Sequence, residues 1–210
     1  MHNIGVILLA AGGSTRMGRA KQLLPFGKIT LLRHAAETAL ATGLSPVVVV
    51  LGAEADSCHA ELEGLAVAVV RNEGWSRGMG GSLRIGVEEL ERMAPQAEAA
   101  LVMLHDQPRI SAASLRDLAS LWSLEGCTIA AAFYGGTAGV PAVFGRKHFA
   151  ELKALDGGGG AKGLLARYDA NVAKLELPEA LDDIDSPEDY VRLSPAGERL
   201  VKPFVPSGAS

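Results

Sequence analysis

Ile4-Gly5-Val6-Ile7-Leu8-Leu9-Ala10-Ala11-Gly12-Gly13-Ser14-Thr15-Arg16-Met17-Gly18-Arg19-Ala20-Lys21 is the stretch that decides the fold. Its first seven residues form a continuous apolar run without polar alternation, the pattern of a strand buried on both faces. The run is far too short to span a membrane, and no basic leader segment precedes it. A glycine-rich loop with two well-spaced cations follows at once. In open α/β sheets ligands gather where strands end at their carboxyl side. Gly12, Gly13 and Gly18 let the backbone approach a ligand and turn its N–H groups inward, while Arg16 and Lys21 could neutralise a triphosphate. Taken alone, the loop could also be a plain turn with two solvated cations.

Outward from this loop the chain alternates strand and helix signals. Leu31, Leu32, Ala35, Ala36, Ala39 and Leu40 recur at helical spacing and Gly43 closes them. Pro46–Leu51 and Val67–Arg71 read as buried strands around a helix at Glu54–Leu62. Leu83, Val87, Leu90 and Met93 mark one helix face, Ala99–Leu104 another strand, and Leu115, Leu118, Ala119 and Trp122 a helical stripe after Ser111. Strands at Ile129–Tyr134, Pro141–Phe144 and Val172–Leu177, with short helices at His148–Leu155 and Ala161–Tyr168, complete the series. Ser186-Pro187-Glu188-Asp189 is a helix start, with Ser at the cap, Pro at the first position and a carboxylate at the third. Repeated βα units imply an α/β, Rossmann-like three-layer sandwich with a mostly parallel sheet. One domain over residues 1–193 is expected, followed by a loosely ordered tail at 194–210.

Composition narrows the function classes. With 48% apolar and only 5% aromatic residues, the core must be aliphatic. A net charge of −4 gives no reason to expect nucleic acid or an anionic membrane as partner. Cys58 and Cys127 lack metal-type spacing and read as ordinary reduced thiols. A cytoplasmic location is the default expectation.

Two acidic segments add chemistry. Asp106, in His105-Asp106-Gln107-Pro108, follows the buried strand Ala99–Leu104, so it stands on the same rim as the glycine loop. Alone it could merely cap the following turn. In Asp183-Ile184-Asp185-Ser186-Pro187-Glu188-Asp189-Tyr190, alternation puts Asp183 and Asp185 on one side and Ile184 in the core; this segment too could be a solvated acidic turn. Gly78-Met79-Gly80-Gly81-Ser82-Leu83 lies between a strand and a helix, with its N–H groups placed for an anion or a base edge. It reads equally as a glycine-rich start of a helix capped by Ser82. His105 reads as a rim histidine without a chemical task, and the other four histidines form no cluster.

The loop Leu9-Ala10-Ala11-Gly12-x-Ser14-x-Arg16-Met17-Gly18-x-x-Lys21, continued by Gln22-Leu23-Leu24-Pro25, resembles the signature of molybdenum cofactor cytidylyltransferases and related MobA-like nucleotidyltransferases. Asp106-Gln107-Pro108 and Asp183-Ile184-Asp185-Ser186-Pro187-Glu188-Asp189 resemble two further motifs of that group, in the same order. The resemblance covers about Ile4 to Leu193. It implies the nucleotide-diphospho-sugar transferase type of fold and a Mg²⁺-dependent transfer of CMP from CTP to a phosphorylated acceptor. It makes Arg16, Lys21 and Asp106 catalytic and Asp106 with Asp185 the metal ligands, ahead of Asp183. Ala10, Ala11, Gly12, Gly13, Ser14, Gly18, Gly80, Gly81 and Ser82 would hold the nucleotide. Ala11 in place of a glycine would narrow the base site against a purine.

Gly139–Phe144 resembles the segment framing the acceptor pocket. Near that side the family usually carries an aspartate and an arginine where this chain has Gly158 and Lys162. The implied acceptor is molybdopterin-bound molybdenum cofactor, with a client molybdoenzyme or its chaperone as a further partner. The alternatives are a same-fold transferase using GTP or a sugar or polyol phosphate, and a non-catalytic protein that delivers cofactor.

Overall fold

The computed structural model describes residues 2–14, 17–124, 126–155, 157 and 159–195. Arg16, Gly158 and positions 196–210 of the expected tail lie outside the described residues.

Ile4–Ala10 forms β1, as its unbroken apolar run predicts, with all seven residues buried. A two-stranded hairpin comes next, β2 at Pro25–Phe26 and β3 at Ile29–Thr30, then α1 at Leu31–Leu40. The chain continues through β4 (Val47–Leu51), α2 (Ala55–Ala60), β5 (Ala68–Arg71), α3 (Met79–Met93), β6 (Ala99–Leu104) and α4 (Ala112–Trp122). The second half holds β7 (Ile129–Tyr134), β8 (Thr137–Gly145), α5 (Phe149–Lys153), α6 (Lys162–Arg167), β9 (Val172–Glu176) and α7 (Pro187–Leu193). The small β2–β3 hairpin is not legible in the sequence, because two-residue strands carry no periodicity.

Seven strands form one sheet in the order β5-β4-β1-β6-β8-β7-β9. Neighbours pair in parallel except at β8, which runs opposite to both β6 and β7. From β1 the chain first builds outward through β4 and β5, then returns to place β6 on the other side of β1. That reversal opens a crevice at the carboxyl ends of β1 and β6.

Alternation along β1 divides the core. Val6, Leu8 and Ala10 pack with residues of α1, α2 and α4 on one face. Ile7 and Leu9 pack with α3, α5 and α6 on the other. The layers are therefore helix, sheet and helix, as the repeated βα units require. Met93, expected to face inward with Leu83, Val87 and Leu90, is 42% exposed. The stripe advances by alternating steps of four and three, so Ala94 takes the inward position instead. Among the described residues no helix is long and apolar enough to cross a membrane.

Gly86 sets the closeness of α3 to the sheet. A Cβ there would stand 2.5 Å from Ile7 Cγ2 and 3.1 Å from Val50 Cγ2. Both neighbours are β-branched residues of central strands, stiff at χ1 and unable to retreat. Gly86→Val should therefore cost about 2 kcal/mol of stability through overpacking, read as a lower urea midpoint at unchanged slope. A midpoint equal to wild type would show that α3 shifts freely on the sheet.

Candidate active site

The loop after β1 is folded around Gln22, a fully buried side chain. Its Nε2 donates to the carbonyls of Ala10 (3.0 Å) and Gly12 (2.7 Å), and its Oε1 accepts from the Ser14 hydroxyl at 3.3 Å. Ser14 Oγ in turn accepts from the Lys21 backbone N–H at 2.9 Å. The two arms of the loop are thus tied together before any ligand arrives. In the sequence Gln22 is only a continuation of the glycine motif; its buried amide reveals it as the brace.

Asp106 stands two residues past the end of β6. Beside it, His105 lines the same cleft but is only 6% exposed, so the histidine is a buried part of the wall rather than a solvated one. Its Nδ1 lies 3.2 Å from the Leu9 carbonyl, which only accepts, so Nδ1 carries the proton. Burial pushes the His105 pKa down, leaving a neutral ring that links β6 to β1. Gln107 Nε2 reaches the Ala180 carbonyl at 2.9 Å and anchors the turn from below.

The second acidic segment is held against the first by backbone. Ile184 N–H donates to the Asp106 carbonyl at 2.9 Å, and the Ile184 side chain is fully buried. Alternation then leaves Asp183 and Asp185 on the opposite side, as the sequence pattern requires. Ser186 caps α7 through a reciprocal box with Asp189. Asp189 Oδ2 also accepts from the Asp185 N–H at 3.3 Å. Ile184, Tyr190 and Leu193 pack with Met17, Leu24 and Leu31, so α7 joins the acidic segment to the first loop.

Lys21 occupies the point of convergence. Its Nζ donates to Asp106 Oδ2 at 2.7 Å and to Asp185 Oδ1 at 2.9 Å, with 11% of its side chain exposed. Burial opposes the charge on Lys21, but Asp106 and Asp185 outweigh it and raise its pKa. Burial likewise opposes ionisation of Asp106; His105 and Lys21 favour it, and the net shift is downward. With His105 neutral, Lys21 is the partner that carries charge at neutral pH. Asp183 is pushed up to about 6 by burial first and then by Asp106 and Asp185.

A divalent cation fits this arrangement. Among the described residues Asp106 Oδ1 is buried without a hydrogen-bond partner, and carboxylate oxygens are the hard donors such an ion prefers. Among the described residues no three acidic, histidine or cysteine side chains group into a self-sufficient metal site. Asp106 and Asp185 would therefore supply two ligands, with water and phosphate oxygens completing the shell.

These groups border a cleft of about 390 Å³. Ala11, Gly12, Gly13, Ser14, Lys21, Ser82, Asp106 and Asp185 line it, whereas Ala10, Gly18, Gly80 and Gly81 do not. Ala10 offers its carbonyl to Gln22, Gly18 turns the chain at φ +66°, and the Gly80 N–H is already bonded to the Gly157 carbonyl at 3.1 Å. Trp75, which no sequence motif singles out, also lines the cleft. Its ring lies where a Cβ on Gly13 would approach it to 2.6 Å, which is why residue 13 carries no side chain. A lone tryptophan in a loop of an aromatic-poor chain was the available signal. A second, more apolar cavity of about 300 Å³ adjoins the first and shares Leu9, Met79 and Leu104 with it. Gly139, Val140, Tyr134, Ala161 and Lys162 are among its walls.

A mostly parallel sheet with a glycine loop and paired carboxylates at its carboxyl edge defines a nucleotidyltransferase-type protein. The chain belongs to the MobA-like NTP transferase domain family, whose model matches residues 6–172. It is therefore a transferase of the nucleotidyltransferase class. It is 33% identical to the purine catabolism protein PucB of Bacillus subtilis over 88% of this chain and 92% of that one. A molybdenum cofactor cytidylyltransferase of Escherichia coli is 24% identical over 91% of this chain and 95% of its own length. The nicotine blue oxidoreductase of Paenarthrobacter nicotinovorans is 42% identical, over half of each chain. Among solved structures, Rv0371c of Mycobacterium tuberculosis H37Rv superposes with TM-score 0.78 at 32% identity, covering 91% of this chain and 97% of that one. A manganese complex of Rv0371C superposes with TM-score 0.70 at 30% identity, over 92% and 98%.

Removing the ammonium should leave the Asp106 charge uncompensated. Lys21→Met, which keeps the apolar stem, is expected to lower stability at pH 7 on the order of 3 kcal/mol, because a buried carboxylate loses its partner. Urea denaturation measures this. A loss below about 0.5 kcal/mol would mean that the pair behaves as a solvated one.

Proposed function

We propose that this transferase moves CMP from CTP to a phosphorylated acceptor, molybdopterin-bound molybdenum cofactor, with Mg²⁺ and release of pyrophosphate. The observation that carries the reading is the Lys21 ammonium held between Asp106 and Asp185 in the cleft that the glycine loop lines. That is a cation locus beside a backbone suited to phosphates. The family membership and the whole-length likeness to a molybdenum cofactor cytidylyltransferase support the same chemistry.

In this reading an acceptor phosphate oxygen, already anionic at neutral pH, attacks the α-phosphorus. A new P–O bond forms as the bond to the β-phosphate oxygen breaks, and pyrophosphate leaves with the electron pair. No protein base is needed; placement and charge stabilisation are the protein's tasks. Mg²⁺ on Asp106 and Asp185 would supply Lewis-acid withdrawal of charge from phosphate oxygens. Lys21, displaced from the carboxylates by that ion, would turn its ammonium to the phosphates, and Arg16 would join it there. Gly12, Gly13 and Ser14 orient the triphosphate along the loop.

Ala11 bears on the base. Its buried methyl lines the cleft and would exclude a bulky purine, which penalises GTP rather than strengthening CTP. The adjoining apolar cavity would take the body of the acceptor, with Lys162 as its cation. A lysine there gives a point charge rather than the planar fork of an arginine. A cytoplasmic site of action and delivery to a molybdoenzyme complete the proposal.

Two measurements test it. Pyrophosphate release should be fastest with CTP when four NTPs are screened against molybdenum cofactor, and Ala11→Gly should shift the preference toward GTP. CTP turnover only with a different phosphate acceptor would discard the cofactor, and no turnover with any NTP would leave a binding protein. Asp106→Asn should fold normally and lose about two orders of magnitude in turnover, the equivalent of roughly 3 kcal/mol at the transition state. Turnover within a few-fold of wild type would overturn the metal assignment.

A further inference from the structure

Asn72 lies just beyond the end of β5 and is 5% exposed. It has no place in the transfer chemistry, yet all four of its hydrogen-bonding groups are engaged. Its backbone N–H donates to the Leu51 carbonyl at 2.8 Å, and its carbonyl accepts from Trp75 N–H at 3.2 Å. Its side-chain Oδ1 accepts from Gly74 N–H at 3.0 Å. Its Nδ2 points at Ser82 Oγ, 2.9 Å away.

These contacts fix a direction. Turning the amide over would set its NH₂ against the Gly74 N–H, so Oδ1 must face Gly74 and Nδ2 must face Ser82. An amide nitrogen only donates, so Ser82 Oγ accepts. The hydroxyl proton of Ser82 therefore points away from Asn72. Among the described residues that proton has no acceptor, and Ser82 lines the nucleotide cleft on the segment that also brings Trp75 and Met79 there. The residues that segment contributes to the cleft, Trp75, Ser76, Gly78, Met79 and Ser82, carry no charge, which suits a base better than a phosphate.

We propose that Asn72 is a positioning residue that commits the Ser82 hydroxyl to donate a hydrogen bond to an acceptor atom of the bound nucleotide's base. The inference rests on the nucleotidyltransferase reading of the cleft. Ser82 would otherwise be a rotor able to offer either its proton or a lone pair. With Asn72 behind it, it offers the proton only.

A double-mutant cycle on Asn72 and Ser82 tests this, read as CTP affinity by calorimetry with Mg²⁺ present. Asn72→Asp keeps an acceptor for Gly74 but turns the Ser82 proton back toward position 72, leaving a lone pair facing the base. Any charge repulsion or loop damage acts whether or not Ser82 is present, so the cycle cancels it. Asn72→Asp should weaken CTP binding about tenfold more in the Ser82 protein than in the Ser82→Ala background. Asn72→Ala gives the same cycle without a buried charge, with a smaller excess of about threefold, should the aspartate variant not fold. Inorganic triphosphate should show no excess in either cycle.

Equal losses in both backgrounds would reduce Asn72 to a loop brace and overturn the proposal. An excess seen with inorganic triphosphate as well would place the Ser82 proton on a phosphate and overturn it equally. If wild type binds none of the four NTPs, the nucleotidyltransferase reading falls first and this inference with it.

Discussion

The site depends on one electrostatic constraint: two carboxylates meeting at the end of a buried sheet require a cation between them. Asp106 arrives on β6, and Asp185 on the extended segment before α7. The Asp106 side chain is only 14% exposed, so water screens its charge poorly. Lys21 answers the requirement with two short hydrogen bonds from one ammonium. Its backbone N–H is bound to Ser14, so the same residue also closes the glycine loop. Loop, strand end and the segment leading into α7 therefore meet at a single side chain.

Around that point the rigidity of the protein serves placement. Gln22 fixes the two arms of the first loop, the Ile184–Asp106 backbone bond fixes the acidic segments, and the capping box fixes the start of α7 behind them. A group transfer whose nucleophile is already charged gains most from such geometry, because fixed dipoles and charges need not reorganise as the reaction proceeds. In the proposed transfer, a cation exchanging with the Lys21 ammonium would meet carboxylates already in place, and the released ammonium would be free to turn toward the nucleotide.

The two neighbouring cavities differ in chemistry. The first is bordered by backbone, the ammonium and the carboxylates; the second is mainly apolar, with Lys162 at its wall. Leu9, Met79 and Leu104 belong to both, so a ligand in one cavity touches the wall of the other. Relatives of this chain carry names as different as a cytidylyltransferase, a purine catabolism protein and a nicotine blue oxidoreductase. One fold can hold such breadth, since function resides in sites placed on a scaffold.

The sequence by itself determined the layers and the chemistry's inventory. Short unbroken apolar runs at β1, β4 and β6 read as strands covered on both faces, and the Ser186-Pro187 start of α7 carried its cap in four residues. Alternation around Ile184 settled which way Asp183 and Asp185 face. These features are local, so periodicity and capping reveal them. Tertiary structure alone decided that β8 runs against its neighbours, that Lys21 lies between the carboxylates, that His105 is buried and neutral, and that Trp75 packs on Gly13. Each of these depends on segments distant in sequence being brought into contact. A buried side chain's partner, and with it its charge, is set by whichever segment the fold places beside it.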